Sequence, residues 1–512
     1  MKYGKNIVFI VSTAIILFLV VVGAVLPKQF GAVAETLFLF TTTNFGWFYL
    51  IAVFILILFL FALALSKYGR IRLGGDDEKP EFPFFTWIGM LFSTGFGAGL
   101  VFWGVAEPMS HFFSPPFEHL DSQSEEAARV AMGYSFFHWG ISQWSVFAMI
   151  GLVIAFMQFR KKENGLISKS IETVTGNKPI TTNTIDSLAV ISTIMGVATS
   201  IGLGVMQING GLSSVLNIPV LFVVQLVIIA IVFIAYIVST TTGLEKGIRH
   251  LSNINLALCL LILLYVFITG PTIFILNSFT LALGDYISNF IHYSLRLEPY
   301  IQGTWVRDWT VFYWAWAISW SPFVGSFVAR VSRGRTIRQF IAGVMIIPPA
   351  IACFWFATFG GTALYKDLNE NMGIAEAVNE DITIALFQVF DSLPLSLLTS
   401  ISAILLIFLF LITSADSASY ILASMTTKGS LNPPLISKIV MGFLISAIAS
   451  VLLLAGGLDA LQTASLVAAA PFTIVVLIMI IAIVKMLKKE PLPVTKRDIK
   501  QYERIKKESD ED

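Results

Sequence analysis

Apolar runs separated by charged or Pro/Gly/Asn-rich connectors fall near residues 7–27, 45–66, 84–106, 129–158, 186–214, 219–240, 251–275, 306–330, 337–363, 393–426, 434–457 and 463–486. Most reach the length of about 20 residues that a helix needs to cross a bilayer core. The pattern therefore predicts an all-α polytopic membrane protein with twelve transmembrane helices. Lys2 and Lys5 before the first run and Ala32-Val33-Ala34 after it imitate a secretory leader. The apolar stretch is longer than the roughly 7–15 residues of such a leader, so it reads as an uncleaved first span. Segment 276–300 is weakly amphipathic and reads as an interfacial helix on the outer surface, with subunit contact as its alternative use.

Composition strengthens this picture. Residues of the AVILMFWYC set make up 56% of the 512, and DEKR only 13%, about half the charged share of a soluble domain. Lys+Arg 33 against Asp+Glu 32 gives no basic field for nucleic acid. Cys259 and Cys353 both lie in apolar segments, and the five histidines show no paired metal-ligand spacing, which argues against a disulfide framework and a metalloenzyme. With the N-terminus inside, 28 of the 33 Lys/Arg fall in inner segments, so both termini are expected in the cytoplasm of a plasma-membrane protein. Acidic residues gather in two outer loops, the first including Glu107, Glu118, Asp121, Glu125 and Glu126. The tail 487–512 is either a solvated terminus or a contact with anionic lipid through Lys496, Arg497, Lys500, Arg504, Lys506 and Lys507; the latter would respond to ionic strength.

Four segments carry candidate chemistry. The third span holds Ser93, Gly95, Phe96, Gly97 and Gly99. Alternating glycines either weaken the helix, so that freed backbone meets a cavity or ligand, or permit close helix packing. In the eighth span Trp309, Tyr313, Trp316, Trp320 and Phe323 share one face, and Pro322 is expected to interrupt the helix. A belt at the membrane interface explains the outer members of this stripe, but not Trp316 and Trp320, which lie deeper. The fourth span adds Trp139, Trp144 and Phe147, placed to form a concave wall. Indole faces attract cations that lack hydrogen-bond donors, so a trimethylammonium ligand fits best. In the tenth span, Phe410, Thr413 and Ser414 either contribute to an all-oxygen site for Na+ or bond back to their own helix. Asp416 in the same span marks function or a paired contact.

Together these segments resemble the betaine/choline/carnitine transporter family over nearly the whole chain. Asp308 to Trp316 follow the signature D-W-T-x-x-[FY]-W-x-W-W, with Ala317 in place of the final Trp. GxGxG at 95–99, AEP at 106–108, HWG at 138–140, SRGRT at 332–336 and TSADSAS at 413–419 also match. The resemblance implies two N-terminal helices (1–83), a first repeat (84–275), an amphipathic linker (276–305), an inverted second repeat (306–486), a charged tail (487–512) and a homotrimer. It also implies an aromatic box of Trp139, Trp144, Phe147 and Trp316, lined further by Trp320, where sodium-coupled betaine carriers often have Tyr at 147 and Trp at 317. One Na+ site would use Thr413 and Ser414 with carbonyls of Ser93, Phe96 and Phe410. A second would use Phe323 and Thr193, with Val197 at the position of a second threonine. Choline carriers tend to have Asp where Gly99 stands, so the uncharged helix favours a zwitterion such as glycine betaine.

The expectation is a Na+-coupled importer of glycine betaine or a related quaternary-ammonium compatible solute, used in osmoprotection and needing no cofactor. Its rivals are a Na+-independent carnitine-type exchanger and an H+-coupled choline carrier. An enzyme would have to be built on His138 with Asp416, a pair that no spacing supports.

Overall fold

The computed structural model describes residues 6–95, 97–241, 245–301 and 303–492, with the side chains of 92–95 and 245–251 outside the description. Among them every extended element is helical, and the sole β-bridge joins Arg72 to Thr336. In chain order the helices are α1 (Ile7–Val25), α2 (Pro27–Leu65), α3 (Phe84–Gly95), α4 (Ala98–Phe113), α5 (Glu125–Trp139), α6 (Ile141–Ala155), α7 (Ile167–Thr175), α8 (Pro179–Leu216), α9 (Phe222–Thr241), α10 (Glu245–Thr269), α11 (Thr272–Ser294), α12 (Phe312–Val331), α13 (Ile337–Glu370), α14 (Ile374–Glu380), α15 (Ala385–Asp391), α16 (Ser396–Thr426) and α17 (Leu435–Leu487). Nine helical segments of the described residues are long and apolar enough to cross a membrane. The basic tail residues 496–507 lie outside the described residues.

Several elements depart from the sequence reading, each for a local reason. Pro27 occupies the first turn of α2, where its missing N–H costs nothing, and the helix runs from there through Ala32-Val33-Ala34 to Leu65. The third span is broken: α3 ends at Gly95, and Gly97 caps α4 in extended conformation (φ −154°, ψ 174°). The fourth is broken at Gly140 (ψ −148°), so Trp139 and Trp144 sit on two helices rather than on one wheel. α17 runs 53 residues, about 80 Å at 1.5 Å per residue, and is kinked at Gly457 (φ 56°, ψ −127°).

The interruption expected at Pro322 does not occur. α12 continues through it to Val331. Proline deprives the Ile318 carbonyl, four residues earlier, of its usual donor, and the Ser321 hydroxyl donates to that oxygen instead (2.7 Å).

α12 is central, packed against α6, α8 and α17. At one end of the bundle the α2–α3 connector clasps the α12–α13 turn: Leu73 N donates to Arg335 O (2.8 Å), and Gly334 N and Ile337 N donate to Leu73 O (2.7 Å) and Ile71 O (2.9 Å). Gly334 has φ +78°, and the Arg335 guanidinium lies over Trp87 at 4.6 Å. The SRGRT motif therefore builds this clasp, which ends in a capping box between Thr336 and Gln339 at the start of α13.

Candidate functional site

The predicted aromatic residues form one chain of rings. Trp139 meets Trp316 edge-on (centroids 6.0 Å), Trp316 stacks on Trp320 (6.0 Å, 14°), Trp320 meets Phe147 (5.7 Å), and Phe147 meets Trp144 (5.4 Å). These contacts are in the range for favourable edge and offset pairs. The α12 stripe is continuous as well, with Trp309–Tyr313, Tyr313–Trp316 and Trp320–Phe323 at 6.1–6.5 Å. Trp316 is held in place by its N–H to Gly196 O (3.3 Å).

The glycine run explains how α4 approaches these rings. A Cβ at Gly99 would lie 2.5 Å from Cη2 of Trp316, and one at Gly97 would lie 3.8 Å from Cη2 of Trp320. Position 99 thus has no room for any side chain while Trp316 keeps this rotamer. Phe96 lies outside the described residues, as does the side chain of Ser93.

A cavity of about 130 Å³ joins the elements, lined by Gly97, Trp320, Phe323, Phe410, Thr413 and Ser414 among others. It lies beside the first turns of α10 and the second halves of α12 and α16, toward the end of the molecule that carries the SRGRT clasp. Thr413 donates to Leu409 O (3.0 Å) and Phe410 O (3.2 Å) of its own helix. Thr193, expected beside Phe323, is fully buried in α8, donates to Ala189 O (2.7 Å) and is not part of the cavity wall. The structure therefore brings Phe323 to the cavity but not Thr193.

Asn255 also lines the cavity, a residue that the sequence reading missed. The amide orientation that satisfies both ends has Nδ2 donating to Leu406 O (3.2 Å) and Oδ1 accepting from Phe410 N (3.3 Å) of α16. These two groups are ladder partners in a regular helix, so the side chain bridges one rung of α16.

The larger omission is Glu107. The expectation of an outer-loop position is overturned: α4 runs through Pro108 to Phe113, and Glu107 is 0% exposed within it. Its Oε1 accepts from His138 Nδ1 (2.7 Å) and His111 Nε2 (3.3 Å), and its Oε2 from Trp139 Nε1 (2.8 Å) and the Tyr313 hydroxyl (2.5 Å). His138 Nε2 pairs with Thr310 Oγ1 (2.9 Å). His138 is thus partnered with Glu107 and not with Asp416, which accepts from Thr240. Glu107, His111 and His138 bring donor atoms within 4.8 Å of one another, but the carboxylate's hydrogen-bonding capacity of about four is already filled by protein. The signal that could have found the cluster was the AEP carboxylate itself, one residue past an apolar run in a chain with few charges.

The profile of the betaine/carnitine/choline family transporter matches residues 7–492. The chain is 62% identical over 485 residues to an ectoine/hydroxyectoine transporter of Virgibacillus pantothenticus, covering 95% of this chain and 97% of that one. It is 45% identical over 507 residues to the glycine betaine transporter OpuD of Bacillus subtilis, covering 98% and 97%. It is 37% identical over 505 residues to the betaine/ectoine transporter LcoP of Corynebacterium glutamicum, covering 97% and 80%.

Proposed function

The chain belongs to the betaine/carnitine/choline transporter family, and from that premise we propose that it imports zwitterionic compatible solutes, ectoine and glycine betaine foremost, coupled to Na+ and in the service of osmoprotection. The observation that carries this reading is the ring chain from Trp139 to Trp144 beside a cavity that also holds Thr413 and Ser414. Stacked indoles suit a cation that offers few or no hydrogen-bond donors. Glycine betaine carries such a cation as trimethylammonium, and ectoine as a cyclic amidinium with a planar N–C–N group.

Ectoine comes forward beside glycine betaine for two reasons. The relative at 62% identity is named for ectoine and hydroxyectoine. Ala317, fully buried beside Trp316, stands where the family signature has Trp, so the chain lacks an indole that the signature of the betaine carriers supplies. Choline is disfavoured, because the close fit of Gly99 against Trp316 excludes a neutralising carboxylate there.

Thr413 and Ser414 supply the hydroxyls for the ion, with the Phe410 carbonyl beside them. The cavity wall contains no Lys or Arg among the described residues, which favours Na+ over a fixed cation of the exchanger type. Alternating access would operate on a twelve-span, five-plus-five inverted repeat (84–275 and 306–486) in a homotrimer, with both termini cytoplasmic. In that orientation the cavity, lying toward the SRGRT clasp, faces inward.

Competition decides the substrate. Uptake of labelled ectoine into proteoliposomes is expected to be blocked by excess glycine betaine and hydroxyectoine and left intact by choline. Equal competition by choline would overturn the zwitterion assignment.

A further inference from the structure

Glu107 is an expensive residue to keep where it is. It is wholly buried in a membrane-spanning chain, and a carboxylate there is retained for a function or for a fully satisfied contact. Its four donors come from three elements: His111 on α4, His138 and Trp139 at the end of α5, and Tyr313 in the first turn of α12. The Oε2 atom binds Trp139 and Tyr313 together, and Trp139 is the ring at the head of the chain that runs through Trp316 and Trp320 to the cavity.

We propose that Glu107 is a positioning residue for substrate selection, acting through the Trp139 indole. This rests on the reading of Trp139 as part of the substrate site. Trp139 is the last residue of α5, ahead of the break at Gly140, so the helix beyond it does not fix the ring's tilt. The Nε1–H to Oε2 bond does so, with Tyr313 (5.9 Å) and Phe356 (5.5 Å) packed against the ring. The same bond has an electronic consequence. An indole that donates its N–H to a carboxylate gains π-electron density, which strengthens its attraction for a cation over its face. Glu107 therefore aims the ring and enriches it, without touching the substrate.

The test is a double-mutant cycle between Glu107→Gln and Trp139→Phe, read as KM and maximal rate for labelled ectoine and glycine betaine in proteoliposomes. Phe keeps a ring but has no N–H for the carboxylate to hold. E107Q in the wild-type background is expected to raise KM about tenfold, the value of one good charge-assisted hydrogen bond. In the W139F background E107Q should raise KM less than threefold further. Equal KM effects in both backgrounds, or a fall in maximal rate alone, would overturn the proposal and leave Glu107 as a packing element. If W139F itself leaves KM unchanged, the substrate-site reading of Trp139 fails first, and that failure is distinguishable. Should E107Q not reach the membrane, Glu107→Asp enters the same cycle, since it keeps the charge but withdraws the oxygens by one methylene.

Discussion

At the scale of single residues, the pairing of Gly99 with Trp316 is the most constrained feature of the site. A Cβ at 2.5 Å from Cη2 cannot coexist with the present ring position, so Gly99→Ala is expected to push Trp316 off its stack on Trp320. Uptake should fall at least about tenfold, the effect of a loss near 1.4 kcal/mol, while the protein still reaches the membrane. Unchanged uptake by G99A would contradict the tight fit. Trp316→Ala removes the central ring of the chain. Its KM for ectoine or glycine betaine should rise about ten- to thirtyfold, in line with a desolvated cation–π contact near 2 kcal/mol. These residues were legible in the sequence, because aromatic spacing and alternating glycines are local patterns. Most partners of Glu107 were not: His111 is its i+4 neighbour in α4, but His138, Trp139 and Tyr313 meet it only through the packing of three helices.

At the scale of elements, the glycine run of the third span, open in the sequence to either a weakened helix or close packing, provides both, and the break expected at Pro322 in the eighth does not occur. Three glycines within five residues weaken a helix by backbone entropy alone, and the extended Gly97 follows from that. A proline is a weaker guide inside a packed bundle, because a neighbouring hydroxyl can replace the donor that it removes. Ser321 plays this part for Ile318. Ser321→Ala should therefore strand a buried carbonyl beside Pro322 and cost about 1–3 kcal/mol, measurable as a lower thermal midpoint in detergent. A midpoint equal to wild type would mean that α12 tolerates the gap without the hydroxyl. Thr193, assigned to a second ion site through the family resemblance, donates to its own helix in α8 as Thr413 does in α16, a common habit of threonines in apolar helices that leaves the oxygen lone pairs open to an ion.

At the scale of the whole molecule, an ion-pair cluster ties the segment just after α17 to the one just after α6. Glu490 bonds Arg160 (2.7 Å) and Lys161, and Arg160 also reaches Gly74 O (3.0 Å) and Asp76 (2.5 Å). Partial burial works to raise the Glu490 carboxyl, but Lys161 and Arg160 outweigh it and hold the group below the usual carboxylate range. The cluster's contribution is thus present above the ordinary carboxylate pKa, near 4.3, and is lost as pH falls through the lowered value. Glu490→Gln should abolish that acid-side loss and the salt sensitivity of the same step. A pH-stability profile identical to wild type would detach the cluster from the fold's acid response.

Na+-coupled import of a zwitterion through the Trp139–Trp144 ring chain is the activity proposed for this transporter. The most direct measurement is uptake of labelled ectoine and glycine betaine into proteoliposomes with and without an inward Na+ gradient. Accumulation above the external concentration only when the gradient is imposed, and lost in Trp316→Ala, is the predicted result. Uptake or counterflow that is indifferent to Na+ would contradict the coupling and turn the protein into an exchanger.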